Sequence, residues 1–164
     1  MTIPPQYELN LSGSDLCGIM YAVLDKGASF RFQARGHSMS PFIRNGDIIS
    51  VAKVRTGKIR VGDVVAVLNP VNYAVIVHRV VGESEKGILL KGDNCNTADG
   101  VFACEAILGE VTRVERGTKE ITFCRGPAKK LIAFLSVSGL LNKVFLPLLR
   151  RFRNMINMGR SMET

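Results

Sequence analysis

A serine, a histidine and two aspartates stand in order along this chain, each in a short stretch punctuated by glycine or bordered by β-branched residues. Ser38 lies in Gly36-His37-Ser38-Met39-Ser40-Pro41-Phe42, with Gly46-Asp47 soon after. His78 lies in Val77-His78-Arg79-Val80, Asp93 in Lys91-Gly92-Asp93-Asn94, and Asp99 a little further on. A serine hydroxyl is a poor nucleophile until a base takes its proton during attack. An imidazole suits that task because histidine as a residue type titrates near neutrality. A carboxylate on the far ring nitrogen fixes the tautomer and stabilises the imidazolium. The oxyanion formed on attack needs preorganised donors, often backbone N–H groups beside the serine. Gly36 and Pro41 bracket Ser38 in a way that suits a constrained turn with exposed amides. Singly, these are ordinary residues: a serine before methionine, a strand histidine, a Gly-Asp-Asn turn. Together they are the parts of an acyl-transfer site.

The rest of the composition narrows the setting. The chain has 164 residues, the size of one ordinary domain, with 46% hydrophobic and 22% charged residues. That is long enough to bury a core without disulfides or metals. The formal charge is +8, with 22 Lys+Arg against 14 Asp+Glu, and it is concentrated at one end. Residues 125–164 hold Arg125, Lys129, Lys130, Lys143, Arg150, Arg151, Arg153 and Arg160 against Glu163 alone. The remainder is close to neutral, so no nucleic-acid partner is expected; a binding groove would need its cations on the folded body. Cys17, Cys95, Cys104 and Cys124 form no Cys-x-x-Cys pair. With only 2 histidines, no metal site and no cofactor are expected. The cysteines read as reduced and mostly buried. The start, Met1-Thr2-Ile3-Pro4-Pro5-Gln6-Tyr7-Glu8, lacks the basic residues and apolar run of a secretory signal. The expected location is cytoplasmic or peripheral to a membrane.

Three stretches differ in pattern. Residues 1–28 are a lead-in and a short helix. Ser12 or Ser14 caps it, Asp15 favours its positive end, and Gly27 closes it. Its apolar stripe is Leu16, Ile19, Met20, Val23 and Leu24. Residues 29–125 hold short β-branched or alternating runs bounded by Gly, Asp, Asn or Pro. Expected strands cover 30–34, 48–52, 64–68, 73–77, 87–91, 107–115 and 119–124. The fold class is mainly β (α+β): a compact antiparallel β domain with a short N-terminal helix and C-terminal helices. Residues 126–164 open at Gly126-Pro127 and form a basic, apolar tail. Three readings apply to it. A basic amphipathic helix or helix pair lying on a membrane surface through residues 128–158 comes first. A helical hairpin docked on the body comes next. A membrane span comes last, because Gly139, Asn142, Lys143 and Pro147 interrupt the apolar run.

Gly36-x-Ser38-Met39-x-Pro41 with Gly46-Asp47 resembles the nucleophile box of type I signal peptidases and of the SOS-repressor (LexA-type) serine peptidases. Arg60-Val61-Gly62-Asp63-Val64-Val65-Ala66-Val67 resembles the Gly-Asp-hydrophobic strand that follows in both. Val77-His78-Arg79-Val80 resembles the next box, which carries lysine in repressors and most bacterial signal peptidases. It carries histidine in the endoplasmic-reticulum and archaeal type. Lys91-Gly92-Asp93-Asn94 with Asp99 resembles the last box of that histidine branch. The resemblance covers roughly residues 29–114. It implies a LexA/signal-peptidase-like fold, Ser38 as nucleophile, His78 as general base and Asp99 as third member. Asp93 stands as the alternate orienter or as a turn aspartate. Gly36, Met39 and Pro41 are the substrate-side residues, Met39 as pocket floor or as core. Asp47 and Asp63 are expected to hold turns. His37 adjoins Ser38, but on a strand its side chain would point away. Gly36-His37 replaces the Ser-Gly usual in the histidine branch, so the Ser38 amide must supply oxyanion support together with another donor.

Three functions compete. The first is a serine endopeptidase, signal peptidase-like, cleaving an extended peptide or protein precursor through an acyl-enzyme. The second is self-cleavage, for which Cys17-Gly18 offers a repressor-like dipeptide. The third is a non-catalytic binding module on the same fold.

Overall fold

Ser12 caps the first helix. The computed structural model describes residues 12–54, 59–121 and 128–138. Helix α1 (Gly13–Asp25) begins where the Ser12 hydroxyl oxygen accepts the Asp15 amide N–H, which satisfies one of the orphan donors of the first turn. Cys17, Met20 and Leu24 are buried together in the main core. Their spacing of three and four puts them on one face. Ile19 lies about 100° from Met20 and is exposed, so the buried stripe is narrower than the sequence suggests. Gly27 follows with φ +75°, a left-handed stop.

Eight antiparallel strands make one sheet: β1 (Phe30–Gln33), β2 (Ile48–Ala52), β3 (Val64–Leu68), β4 (Val75–Ser84), β5 (Gly87–Lys91), β6 (Gly100–Phe102), β7 (Ile107–Arg116) and β8 (Lys119–Glu120). The order is β1-β2-β7-β3-β4-β5-β6, with β8 paired to β7. The fold is therefore the mainly β, antiparallel domain expected. Register shifts at Ser50/Val51, Ala66/Val67 and Val80/Gly82 interrupt the ladders; such shifts sharpen twist and curl a sheet. Strand β3 is apolar throughout because both its faces are covered. Val64 and Ala66 enter the core with α1, while Val65 and Val67 enter a second cluster with Val80, Leu90 and Phe102.

Two strands depart from expectation. β4 was expected at 73–77 and runs over 75–84. Tyr73 instead ends the turn before it, at φ +53°, where Asn69 and Asn72 side chains accept the Val71 and Ala74 amides. β6 was not expected at all; three residues after Gly100 carry too little pattern to read. Beyond β8, residues 122–124 lie outside the described set.

Two turns of one design lead into β2 and β3. In Arg44-Asn45-Gly46-Asp47 and Arg60-Val61-Gly62-Asp63, the aspartate carboxylate accepts the amide three residues back, at 2.8 Å in each case. Each glycine sits at positive φ, +90° and +101°, and each aspartate is buried. Each also takes a distant cation: Arg116 forks onto Asp47 at 2.8 and 2.7 Å, and Lys129 reaches Asp63. Lys129 belongs to helix α2 (Ala128–Val137), which packs on β4. Ile132, Ala133 and Ser136 face the body, and buried Lys91 donates to the Ser136 carbonyl and hydroxyl oxygens. The start of the tail is thus docked; residues 139–164 lie outside the described set. Among the described residues, no helix is long and apolar enough to cross a membrane. Cys17 is buried, Cys95 half-buried and Cys104 exposed, and none of the three is in a disulfide among the described residues. Cys104 departs from the buried expectation because it sits on a short surface 3-10 turn (Cys104–Ala106).

Burial by itself would raise the Asp47 carboxyl, but Arg116 and the Arg44 amide draw it below the usual carboxylate range. A carboxyl depressed in the fold contributes stability that is full above its unfolded pKa and is lost as pH falls through the folded one. Wild-type protein is therefore expected to lose stability on acidification below about pH 4, and Asp47→Asn to lose less over the same interval. Urea melts at pH 6 and pH 3 measure both slopes; equal slopes would remove Asp47 from the acid response.

Candidate active site

β4 carries His78, paired to Val65 of β3. Its Nε2 lies 2.9 Å from Ser38 Oγ, and its Nδ1 lies 2.6 Å from Asp99 Oδ2. A carboxylate only accepts, so the ring proton belongs on Nδ1 and the Nε2 lone pair faces the serine hydroxyl. The ring is buried and Ser38 half-buried. The geometry is that of a serine with its base and the base's orienter.

Each partner is placed by a different device. Ser38 lies on a turn, not a strand: Ser40 N–H donates to the His37 carbonyl, and Phe42 and Ile43 N–H to that of Met39. Strand alternation therefore does not set the direction of His37, whose ring makes no hydrogen bond among the described residues and is exposed. Gly36, at φ +91°, turns the chain out of β1 into this segment, and its amide donates to Asn45 Oδ1. A Cβ there would meet nothing, so conformation rather than space favours glycine. The Ser38 amide has no acceptor among the described residues, which leaves it able to support an oxyanion.

The segment after β5 closes on this turn. Asn94 N–H donates to the Ser38 carbonyl at 2.7 Å, and Asn94 Nδ2 to that of His37. Asp99 is fixed by the short strand β6: its amide donates to Leu90 O at 2.9 Å, continuing the β5–β6 pairing. Asp93 lies elsewhere. Arg79 and Asp93 are both fully buried, and the guanidinium forks onto the carboxylate at 2.8 and 2.7 Å. The Asp93 side chain therefore faces arginine, and Asp99 alone bonds the imidazole. Burial pushes the Asp93 carboxyl up, against the pull of Arg79. Sequence reasoning left these aspartates open and gave Arg79 no role; the adjacent His78-Arg79 pair, side chains alternating across β4, was the available signal.

A groove of about 610 Å³ opens beside Ser38, lined by β1 and the chain after it, by Val75–His78 of β4, and by Leu16 of α1. Gly36 and Met39 line it. Met39 is also buried in the core, so the two readings of it hold together. Pro41 does not line it; its carbonyl faces Arg44 and Arg116 instead. Among the described residues, β1 pairs only with β2, and residues 75–78 of β4 pair only with β3, so both flanking segments have an edge that no described strand covers.

The family model for peptidase S24-like proteins matches residues 9–112, more than half of the chain. The chain belongs to that family. The matched span holds Ser38, His78, Asp93 and Asp99, and the expected kinship with LexA and signal-peptidase serine peptidases stands at this level. No curated protein sequence matches the chain.

One feature of the site was missed in the sequence. A Cβ at Gly92 would lie 2.7 Å from Cys95 Sγ, 2.8 Å from Ser38 O and 3.1 Å from His78 Nε2. The glycine lets the last box close against the first two. Burial pushes the neighbouring Cys95 thiol up, which keeps it protonated and a poor rival nucleophile. Gly92→Ala is expected to cost about 1–3 kcal/mol, a usual range for overpacking, and to slow reaction of Ser38 with a fluorophosphonate. Urea melts and labelling rates report the two effects; wild-type values for both would mean that the contact is easily relieved.

Proposed function

We propose that this chain is a serine endopeptidase that cleaves extended peptides in trans. The observation that carries the reading is the unbroken line Asp99–His78–Ser38 opening on a groove with two strand edges. A peptide added as a strand there would gain main-chain hydrogen bonds and present its scissile carbonyl to Ser38. His78 Nε2 takes the hydroxyl proton as Oγ bonds to the carbonyl carbon, and Asp99 holds the imidazolium. The oxyanion draws on the Ser38 amide. The imidazolium then protonates the departing amine, leaving an acyl-serine. Water, deprotonated by His78, attacks that ester and frees the acid and the serine. Met39 and Ile43 close the groove floor against the core, which favours a small side chain beside the cut. Histidine in the base position, with aspartates at 93 and 99, supports kinship with the histidine branch of signal peptidases.

Cleavage in trans is favoured over self-cleavage by one feature. Cys17–Gly18 lies inside α1 with Cys17 buried, and the helix would have to unwind before that bond became an extended substrate.

Ser38→Ala is expected to abolish cleavage of a mixed peptide pool, and Asp99→Asn to slow it about 10⁴-fold while the fold is kept. Asp93→Ala should act differently, lowering stability by about 3–5 kcal/mol because the buried Arg79 loses the carboxylate that balances its charge. Initial rates and urea melts separate the two aspartates. A Ser38→Ala protein that cleaves as fast as wild type would end the reading.

For the C-terminal segment we propose an anionic lipid surface as partner. Helix α2 leaves Leu131 and Phe134 exposed, at 59% and 67%, beside exposed Lys130. The residues from 125 onward add the basic excess, and apolar side chains with basic neighbours suit an anionic interface. The full chain is expected to sediment with phosphatidylglycerol vesicles at low salt, and less in 0.5 M salt or as the Leu131→Glu/Phe134→Glu variant, on the order of a Debye-screened attraction. No sedimentation at low salt would dismiss this partner.

A further inference from the structure

The groove beside Ser38 has a charge pattern that the reaction itself does not require. Arg31, Arg35 and Arg44 line it, and among the described residues no aspartate or glutamate does. The three arginines are not equivalent. Arg31 is bonded to Glu115. Arg44 donates through Nε to the Pro41 carbonyl and lies in the field of Asp47. Arg35 is exposed and makes no ion pair or hydrogen bond among the described residues. It follows β1 and stands three residues before Ser38, at most about 11 Å of chain away.

We propose that Arg35 selects the substrate: the peptide cut at Ser38 carries an aspartate or glutamate within about three residues of the scissile bond, since an extended strand spans about 3.3 Å per residue. The inference rests on the peptidase reading and narrows its substrate class. An arginine with no acid beside it has its carboxylate-matching fork free. A strand lying over the groove would displace water from the pair and strengthen it. The other lining residues near the serine, such as Phe32, Ala34 and Met39, are apolar and ask for uncharged side chains at the remaining positions. A basic peptide would meet the like charge of Arg35, which gives specificity by exclusion as well as by attraction.

The test is digestion of a proteome-derived peptide library by the full-length protein, with cut sites read by mass spectrometry. Wild type, Arg35→Glu and Ser38→Ala are run side by side. Acidic residues within three positions of Ser38-dependent cuts are expected to be enriched about two- to fivefold, the range of an exposed ion pair. In Arg35→Glu the enrichment should pass to lysine and arginine at the same position, an exchange that misfolding does not produce. Ser38-dependent cuts without acidic enrichment, or with enrichment unchanged in Arg35→Glu, would overturn the inference and leave the peptidase reading standing. No Ser38-dependent cuts at all would overturn both.

Discussion

Arg79 is the fixed point around which the site is assembled. It is fully buried, yet its guanidinium has several close partners. Nη1 donates to the Gly62 carbonyl at 2.8 Å, Nε and Nη2 fork onto Asp93, and the cation lies 5.6 Å from the centre of the Phe42 ring. Those partners come from three separate segments: the turn before β3, the loop after β5 and the turn that carries Ser38. A buried cation tolerates none of these partners being lost, because desolvation costs several kcal/mol that only close, well-directed partners offset. The segments are therefore held in one relative position. His78 precedes Arg79 on β4 and shares that strand's rigidity, so the histidine meets Ser38 because the arginine has gathered the surrounding chain.

Around this point the structure uses the same element twice for different ends. The two Gly-Asp turns are alike in glycine conformation, in the carboxylate–amide bond and in burial. Their distant cations differ. Arg116, from the end of β7, binds Asp47 and also donates to the Phe42 carbonyl at 3.1 Å, so it tightens the nucleophile turn from outside. Lys129 binds Asp63 and brings α2 with it. At the other end of α2, Lys91 reaches Ser136 from the residue just before Gly92. The docked part of the tail is thus tied to both the β3 turn and the loop that closes on Ser38.

Much of this was legible in the sequence, and the missing parts share a cause. β2, β3, β5 and β7 were readable because β-branched runs between turn residues have few alternatives. Ser38 and His78 were readable as members of ordered boxes. Gly46-Asp47 and Gly62-Asp63 were readable as turns because aspartate after glycine bonds the local backbone. What failed to show depends on long-range contact. β6 is three residues long and has meaning only beside β5, yet it fixes Asp99. Gly92 looks like any turn glycine until Ser38 and His78 are brought within reach of its absent Cβ. Arg79 reads only as the strand neighbour of His78, and the fold reveals that its charge faces inward. Local pattern names the elements; which carboxylate meets which cation is decided by packing.

That division of carboxylates has a consequence for the proposed reaction. His78 must gain a proton as Ser38 attacks, so its surroundings must accept positive charge at that moment. Two buried cations, Arg79 and Lys91, lie close by, and each alone would oppose the imidazolium. Asp93 sits between them in charge terms: its carboxylate forks onto Arg79, and it feels His78 and Lys91 as well. With Arg79 offset by Asp93, the carboxylate of Asp99 at 2.6 Å from Nδ1 remains the nearest charge to the ring and sets the sign of its local field. Asp99 is the carboxylate that touches the base. Asp93 keeps the neighbouring arginine from cancelling what Asp99 does. A site with only one of the two would have either an unoriented histidine or a histidine beside an uncompensated cation, and the pairing of both aspartates in one short segment, fixed at one end by Arg79 and at the other by β6, avoids each.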